Sequence, residues 1–340
     1  MRNCWLIRML LSVSLLPAFG GLISAADPAA GPFIRMASGV SGHIHPAACV
    51  TEKGTVLVIF SQSDFRDLRL TRSEDGGRTW SEPQPFAHTA KLSIYPGALT
   101  TLADGRIIHI WNTWYPDANR SSGKSRFPQF SISSDDGLTW SEPKSLPKNP
   151  DSESVLRHPI VELTPNRWLF SLTDKTVVYD PETEAVAPFG DGRNHGLTPI
   201  VKTPKGTLIS GSGVRSTDGG RTWQPVEPFP AIKDNGWRFD LMTTSNGWLV
   251  TAEVIGPGVG GNLWRFVVSR DDGASWDFDH AVEFYNPGRP IGGRACPKTV
   301  QLDVDTLGTV FYDVDAKQPG GPGVFFLRTP LSKLAVSGAE

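Results

Sequence analysis

The sequence predicts an all-β chain folded as one six-bladed β-propeller with recurring Asp-centred turns, and three observations lead there. A phrase of eight residues is written four times: SEDGGRTW at Ser73–Trp80, SSDDGLTW at Ser133–Trp140, STDGGRTW at Ser216–Trp223 and SRDDGASW at Ser269–Trp276. The intervals between copies are 60, 83 and 53 residues, and the long one leaves room for a unit without the phrase. No stretch keeps a 3.6-residue apolar period long enough for a helix, whereas short apolar runs recur between turn signals. The chain's 35 glycines and 28 prolines supply those turns.

Each residue type in the phrase has a local task. The Asp carboxylate accepts hydrogen bonds from the backbone of its own turn. The Gly suits a position with positive φ, the Ser and Thr hydroxyls close the turn, and the Trp supplies a large apolar plug. The phrase therefore reads as a hairpin turn whose hydrophobic plug seats into a sheet.

Taken from its start, the chain opens on a segment that reads as a secretory signal, residues 1–26. Arg2 and Arg8 precede an apolar run from Met9 to about Ile23, and Ser24-Ala25-Ala26 offers a small-residue cleavage site. The run is short and interrupted by Pro17, which argues against a spanning helix. No later segment is apolar enough to cross a bilayer. A secreted or periplasmic chain of residues 27–340 is expected, forming a single propeller. Cleavage removes two arginines and no acids and leaves a formal net charge of −4, which provides no general drive toward nucleic acid or anionic lipid. The sequence assigns no oligomeric state.

Six units follow, each an inner-strand phrase, a turn and a second apolar strand. Blade one runs from His45-Pro46 through CVTEKGTVLVIF, and blade two from Tyr95-Pro96 through ALTTLADGRIIHIW. Blade three has His158-Pro159 and then IVELTPNRWLFSL, without the eight-residue phrase. Blade four has Thr198-Pro199 and IVKTPKGTLISG, and blade five has Arg238-Phe239-Asp240 and LMTTSNGWLVTAEV. Blade six has Cys296-Pro297 and KTVQLDVDTLGTVFYD, again without the phrase. Cys49 and Cys296 remain after cleavage, on adjoining blades but offset by about four residues, too far for disulfide geometry. Two thiols without a disulfide are expected.

The loops leading into the six inner strands converge on the central channel. They bring His43, His45, Tyr95, Arg157, His158, Arg193, His195, Arg238, Asp240 and Arg294 to its mouth, a composition that suits a ligand site. Loops on the same face add Asp64, Arg66 and Asp67 from blade one, Trp111, Trp114 and Tyr115 from blade two, and Glu253 from blade five. Aromatic faces beside carboxylates suit a sugar ring. Arginines round a channel suit a carboxylate, because a guanidinium holds two oxygens in a fork. No cofactor is expected. A metal is not expected either, since no His-x-x-x-His or clustered Cys occurs, although His43-x-His45 with other channel histidines could bind one ion.

The four phrases resemble the Asp-box (BNR) repeats of the sialidase superfamily, whose members are six-bladed propellers with boxes on the face away from substrate, which implies that Asp75, Asp135, Asp218 and Asp271 are structural. The resemblance implies three arginines clamping a sugar carboxylate, an Asp acid/base and a Tyr nucleophile paired with Glu. By position Asp64 or Asp67 matches the acid/base, with Arg66 beside it, and Arg238 and Arg294 match later clamp arginines. Two departures stand out. The family's Arg-Ile-Pro phrase reads Ile44-His45-Pro46 here, with Arg35 upstream but outside the phrase. The nucleophilic Tyr has no counterpart at Arg294-Ala295-Cys296-Pro297, while Tyr285 and Tyr312 look like loop and second-strand residues.

Three functions fit these residues. One is a secreted sialidase-like exo-glycosidase acting on acidic glycans. Another is an acidic-polysaccharide lyase or hydrolase using a His/Tyr pair, such as His45, His158 or His195 with Tyr95, for proton transfer. The third is a non-catalytic glycan-binding propeller, since fold alone does not decide function.

Overall fold

Six antiparallel four-stranded sheets are arranged around one channel in the computed structural model, which describes residues 22–23, 32–42, 44–63, 66–86, 93–114, 126–146, 154–230, 240–257, 261–292, 296–315 and 320–335. From channel to rim, blade one is Ala47–Val50, Val56–Ser63, Arg66–Ser73 and Gln84–Pro85. Blade two is Ser93–Thr101, Ile107–Trp114, Arg126–Ser133 and Lys144–Ser145. Blade three is Val161–Thr164, Arg167–Ser171, Thr176–Tyr179 and Val186–Pro188. Blade four is Ile200–Lys202, Leu208–Ser210, Val214–Ser216 and Gln224–Pro225. Blade five is Asp240–Thr243, Leu249–Ile255, Leu263–Ser269 and Asp277–Tyr285.

Blade six is built from both ends of the chain. Its inner three strands are Lys298–Asp303, Thr306–Asp313 and Gly323–Pro330, and its rim strand is the early segment Phe33–Ser38. This closure explains why blade six has no box. In blades one, two, four and five the box joins the third strand to the fourth, and here those two strands are not consecutive in sequence. Blade three has that connection but makes it with a shorter turn, in which Asp180 Oδ1 accepts the N–H groups of Glu182 and Thr183 at 2.9 and 3.3 Å.

The boxes themselves are near-copies in space. The Ser hydroxyl lies 2.8–2.9 Å from Asp Oδ1 in all four, and the Thr79, Thr139, Thr222 and Ser275 hydroxyls reach Asp Oδ2 at 2.5–2.7 Å. Burial raises the Asp75 carboxyl, but the Thr79, Ser73 and Arg78 donors outweigh it and hold it at about 2. The glycine has a second role beyond its positive φ. A Cβ on Gly77 would lie 2.2 Å from Phe326 of blade six, and one on Gly220 would lie 2.3 Å from Phe189 of blade three. Each box thus seats against the preceding blade. In the two Asp-Asp boxes the second Asp completes that contact. Asp136 accepts from Arg72 and Thr55 of blade one at 2.7 and 2.8 Å, and Asp272 from Arg215 and Thr207 of blade four at 3.4 and 2.5 Å.

Apolar side chains fill the spaces between blades. Met36, Val58, Phe60, Trp80 and Phe326 join blades six and one, and Phe130, Trp168, Phe170 and Tyr179 join blades two and three. Burying side chains of this size contributes about 1.5–3 kcal/mol each before entropy is subtracted. At the channel, inner strands are tied across blades by Thr101 Oγ1 to the Val50 carbonyl (2.7 Å) and Ile160 N to Thr100 Oγ1 (3.1 Å). Cys49 and Cys296 are both buried, and no disulfide joins them. Tyr285 ends the rim strand of blade five rather than lying in a loop, and Tyr312 lies on a second strand. Leu22–Ile23, inside the segment expected to be a signal, pair with Trp80–Ser81 at the first box. No helix among the described residues is long and apolar enough to cross a membrane.

Candidate functional site at the channel mouth

All six inner strands begin on one face, opposite the boxes, because strands alternate in direction within a blade and the box closes the third. The inner strands line a cavity of about 520 Å³, with Thr100, Ile160, Ile200, Asp240 and Lys298 among its walls. At the ends where the inner strands begin, polar side chains from four blades form two connected groups across the channel.

The first group starts at Asp240, the first residue of blade five's inner strand. Its Oδ1 lies 3.3 Å from Lys298 Nζ, and its Oδ2 accepts the Thr299 N–H at 2.5 Å. Lys298 Nζ continues to His158 Nδ1 of blade three at 3.0 Å. All three side chains are buried. An ammonium can only donate, so the nitrogen facing it carries a lone pair and His158 is neutral. Burial, with Lys298 and Arg157 nearby, drives its pKa well below the usual imidazole value, and the Leu197 backbone works the other way. His158 Nε2 makes no hydrogen bond of ordinary geometry.

The second group is next to the first, because Arg157 precedes His158. Arg157 Nη2 contacts His45 Nδ1 of blade one and lies 3.1 Å from its Nε2. The same Nδ1 lies 3.1 Å from Cys296 Sγ of blade six, and the Tyr312 ring stands edge-on to the imidazole at 6.5 Å. His45 has φ of 45°, a left-handed conformation that a non-glycine residue keeps only where its surroundings hold it. Arg157 is positioned through the chain beside it. Asn112 Nδ2 donates to the Leu156 carbonyl at 2.7 Å, and Leu156 N donates back to Asn112 Oδ1 at 2.9 Å.

His45, Arg157, His158 and Asp240, all expected from sequence, are thus brought together. Other candidates are bonded elsewhere. His195 turns into blade four, with Nδ1 3.0 Å from Ser210 Oγ and its ring 4.3 Å from Trp223. Burial and then Arg193 lower its pKa to about 4. Arg193 itself is exposed beside Asp191. Glu253 is buried against Arg265 Nε at 2.8 Å, in register across two strands of blade five. Asp67, at φ of 55°, pairs with Arg69 at 2.8 Å in the open.

Tyr95, Arg66 and Trp114 are placed by their backbones only. Tyr95 lies in blade two's inner strand, Arg66 starts blade one's third strand, and Trp114 ends blade two's second strand. His43, Asp64, Tyr115, Arg238 and Arg294 lie outside the described residues. A tyrosine–carboxylate pair does occur, Tyr285 Oη donating to Asp313 Oδ2 at 2.6 Å with Arg289 on the same oxygen at 2.7 Å. Tyr285 is packed among Phe33, Trp264 and Phe311, and burial and then Asp313 raise its pKa strongly. Among the described residues no three His, Cys, Asp or Glu side chains gather as a metal site needs.

Three members of the groups escaped the sequence reading as site residues: Lys298, Cys296 and Asn112. Lys298 had a visible signal. The residues following the six inner-strand phrases are Ala47, Gly97, Ile160, Ile200, Leu241 and Lys298, and only the last carries a charge. Asn112 had none, since its partner is 44 residues away.

The BNR/Asp-box repeat family matches residues 214–225, from the third strand of blade four through its box. No curated protein matches. Among solved structures the chain is similar to a Dyadobacter fermentans protein of unknown function at 17% identity and a TM-score of 0.62, covering 88% of this chain and 99% of that one. It is also similar to the intramolecular trans-sialidase of Ruminococcus gnavus (13%, TM-score 0.61, covering 89% and 98%). The NanB sialidase of Streptococcus pneumoniae is a third (12%, TM-score 0.63, covering 90% and 71%). Together with the four boxes, these show a six-bladed β-propeller with Asp-box turns, similar in fold to the solved sialidases. At such identities the likeness is one of fold.

Proposed function

We propose that the chain is a secreted, sialidase-like exo-glycosidase that takes the carboxylate-bearing sugar of an acidic glycan at the channel mouth. The observation that carries this reading is the pair of connected groups in which Arg157 and Lys298, both buried, meet unprotonated imidazoles where the inner strands begin. A guanidinium there offers donors in a fork and can accept nothing. Arg238 and Arg294, which lead into the inner strands of blades five and six, complete the proposed recognition, and Asp64 or Asp67 is the proposed acid/base. The solved sialidases of the same fold favour this substrate class by analogy of fold alone.

A second reading, a lyase acting on a uronate, needs Arg157 or Lys298 to turn to the substrate carboxylate, which frees the lone pair of His45 or His158 to accept a proton from the carbon next to it. The test is incubation with acidic glycans and with their carboxyl-reduced analogues. Release of a terminal acidic sugar from the native glycan only is the expected result. Appearance of an unsaturated uronate instead selects the lyase. Equal binding of native and reduced glycans overturns carboxylate recognition in both.

A further inference from the structure

The four boxes agree in their turns but not in their tryptophans. Trp80, Trp223 and Trp276 are buried, at 1, 8 and 6% exposure, and the indole nitrogen of each is enclosed without a hydrogen-bond partner. Trp140 of blade two is turned differently. Its Nε1 donates to the Gly137 carbonyl of its own box at 3.1 Å, and the ring, only partly buried, meets Phe86 edge-on at 5.5 Å. Those two contacts fix the plane of the indole. The residue two before the tryptophan differs as well. It is Arg78, Arg221 and Ala274 in the other boxes and Leu138 here. Leu138 is 56% exposed, and among the described residues it is one of two large apolar side chains left so open.

Leu138 and Trp140 wall a groove of about 350 Å³ against the rim of blade one, where Pro85 and Phe86 stand opposite. Arg72 is the charged residue in the lining, but Asp136 holds its Nη2 at 2.7 Å with Glu74 at 3.5 Å, so the groove has no net attraction for an acid. Polar groups edge it too. The Gln84 amide donates to the Glu82 carbonyl and leaves its oxygen to accept, and Thr139 Oγ1, which donates to Asp135, keeps its lone pairs. Apolar surface rimmed by polar groups marks an interaction site. A sugar residue has the matching chemistry: C–H bonds on one ring face to lie on a fixed indole, and hydroxyls round its edge to donate to Gln84 and Thr139. An apolar protein anchor would strip water from the Gln84 oxygen and put nothing in its place. The volume lies at the small end of ligand pockets, which run from about 300 to 1,000 Å³, and suits a short stretch of a chain.

We propose that this groove is a second, non-catalytic binding site for uncharged sugar residues of a polysaccharide. It lies between the rim of blade one and the box of blade two, away from the channel mouth, and does not rest on the glycosidase reading. A chain gripped here raises the effective concentration of any acidic sugar it carries near the mouth.

The test is titration calorimetry of the full chain with cellohexaose, maltohexaose and chitohexaose. At least one should bind with a Kd of about 1 mM or tighter, and Trp140→Ala should weaken it about tenfold or more. Leu138→Arg places at this exposed position the residue that the boxes of blades one and four carry, so it should melt with the wild type and still lose sugar affinity. Binding of none of the three sugars, or binding unchanged in both variants, overturns the site. Sedimentation showing a dimer that Leu138→Arg dissociates also overturns it, by assigning the groove to a second copy of the chain. Neutral-sugar binding that is lost in the variants, in a protein that neither binds nor cleaves acidic glycan, supports the groove and overturns the glycosidase reading alone.

Discussion

The two faces of the propeller are built on opposed plans. On one, four boxes repeat the same bonds within a few tenths of an ångström, their glycines seated on the blade before them. On the other, the residues leading into the six inner strands differ in sequence from blade to blade, and the bonded groups among the described residues need side chains from four different blades. Repetition serves a task that every blade shares, packing onto its neighbour. A ligand is not six-fold symmetric, so the face that binds one is free to differ at each blade. The contrast shows where to look for function in a repeat fold: where the repeat breaks. The same contrast appears in charge. The box carboxylates are satisfied by their own turns and lie near solvent, whereas Asp240 and Lys298 rely on one another in the interior.

The contrast is tested most severely at that buried pair. Lys298→Met leaves Asp240 buried without its counter-charge and is expected to cost about 3–5 kcal/mol, read by urea unfolding. Lys298→Met combined with Asp240→Leu should recover most of the loss, because no lone charge then remains. A double variant as unstable as the single one would mean that the pair is not the unit that matters.

On the box face, Gly220→Ala should cost about 2–4 kcal/mol, from strain at φ of +88° and collision with Phe189. Its folded fraction should bind acidic glycan as the wild type does. Lost affinity at unchanged stability would contradict a purely structural box.

At the mouth, Arg157→Lys should show the reverse pattern. A point charge cannot reproduce the fork, so affinity for a carboxylate-bearing glycan should fall roughly ten- to hundredfold, about 1.5–3 kcal/mol. The carboxyl-reduced glycan should be affected far less, and titration calorimetry with both ligands separates the two.

The smallest effects lie in pH. The folded pKa of His195, about 4, is below its unfolded value of about 6.5. The unfolded chain therefore binds more protons between those values, and stability present above 6.5 is lost as pH falls toward 4. The slope is at most about 1.4 kcal/mol per pH unit, and His195→Gln should flatten it. Asp75 is likewise depressed, to about 2 against about 3.9 unfolded. Its contribution is fully present above 3.9 and disappears only as pH falls toward 2. Thermal melts of Asp75→Asn should depart in slope from the wild type only in that acid window.

Much of the architecture was legible from local pattern. The eight-residue phrase located four turns, the 83-residue interval located a blade without one, and the inner-strand phrases located six strands. The gathering of His45, Arg157, His158 and Asp240 at the channel was legible because each leads into or begins an inner strand, so blade position alone brings them there. Glu253 and His195 share comparable positions, yet Glu253 pairs with Arg265 on the next strand and His195 packs on Trp223. Which way a side chain turns at a strand end depends on neighbours that sequence spacing does not reveal.

Blade count, box positions and the face on which the site would form could all be read from the order of residues. They could be read because a turn's hydrogen bonds and a strand's alternation are local, made by residues within a few positions of one another. Long-range packing decided the rest: that Phe33–Ser38 closes blade six, that Asp136 and Asp272 reach back to the preceding blade, and that Cys296 meets His45 across 251 positions. Those contacts join distant parts of the chain, and their partners are selected by ring closure and by the shape of the channel.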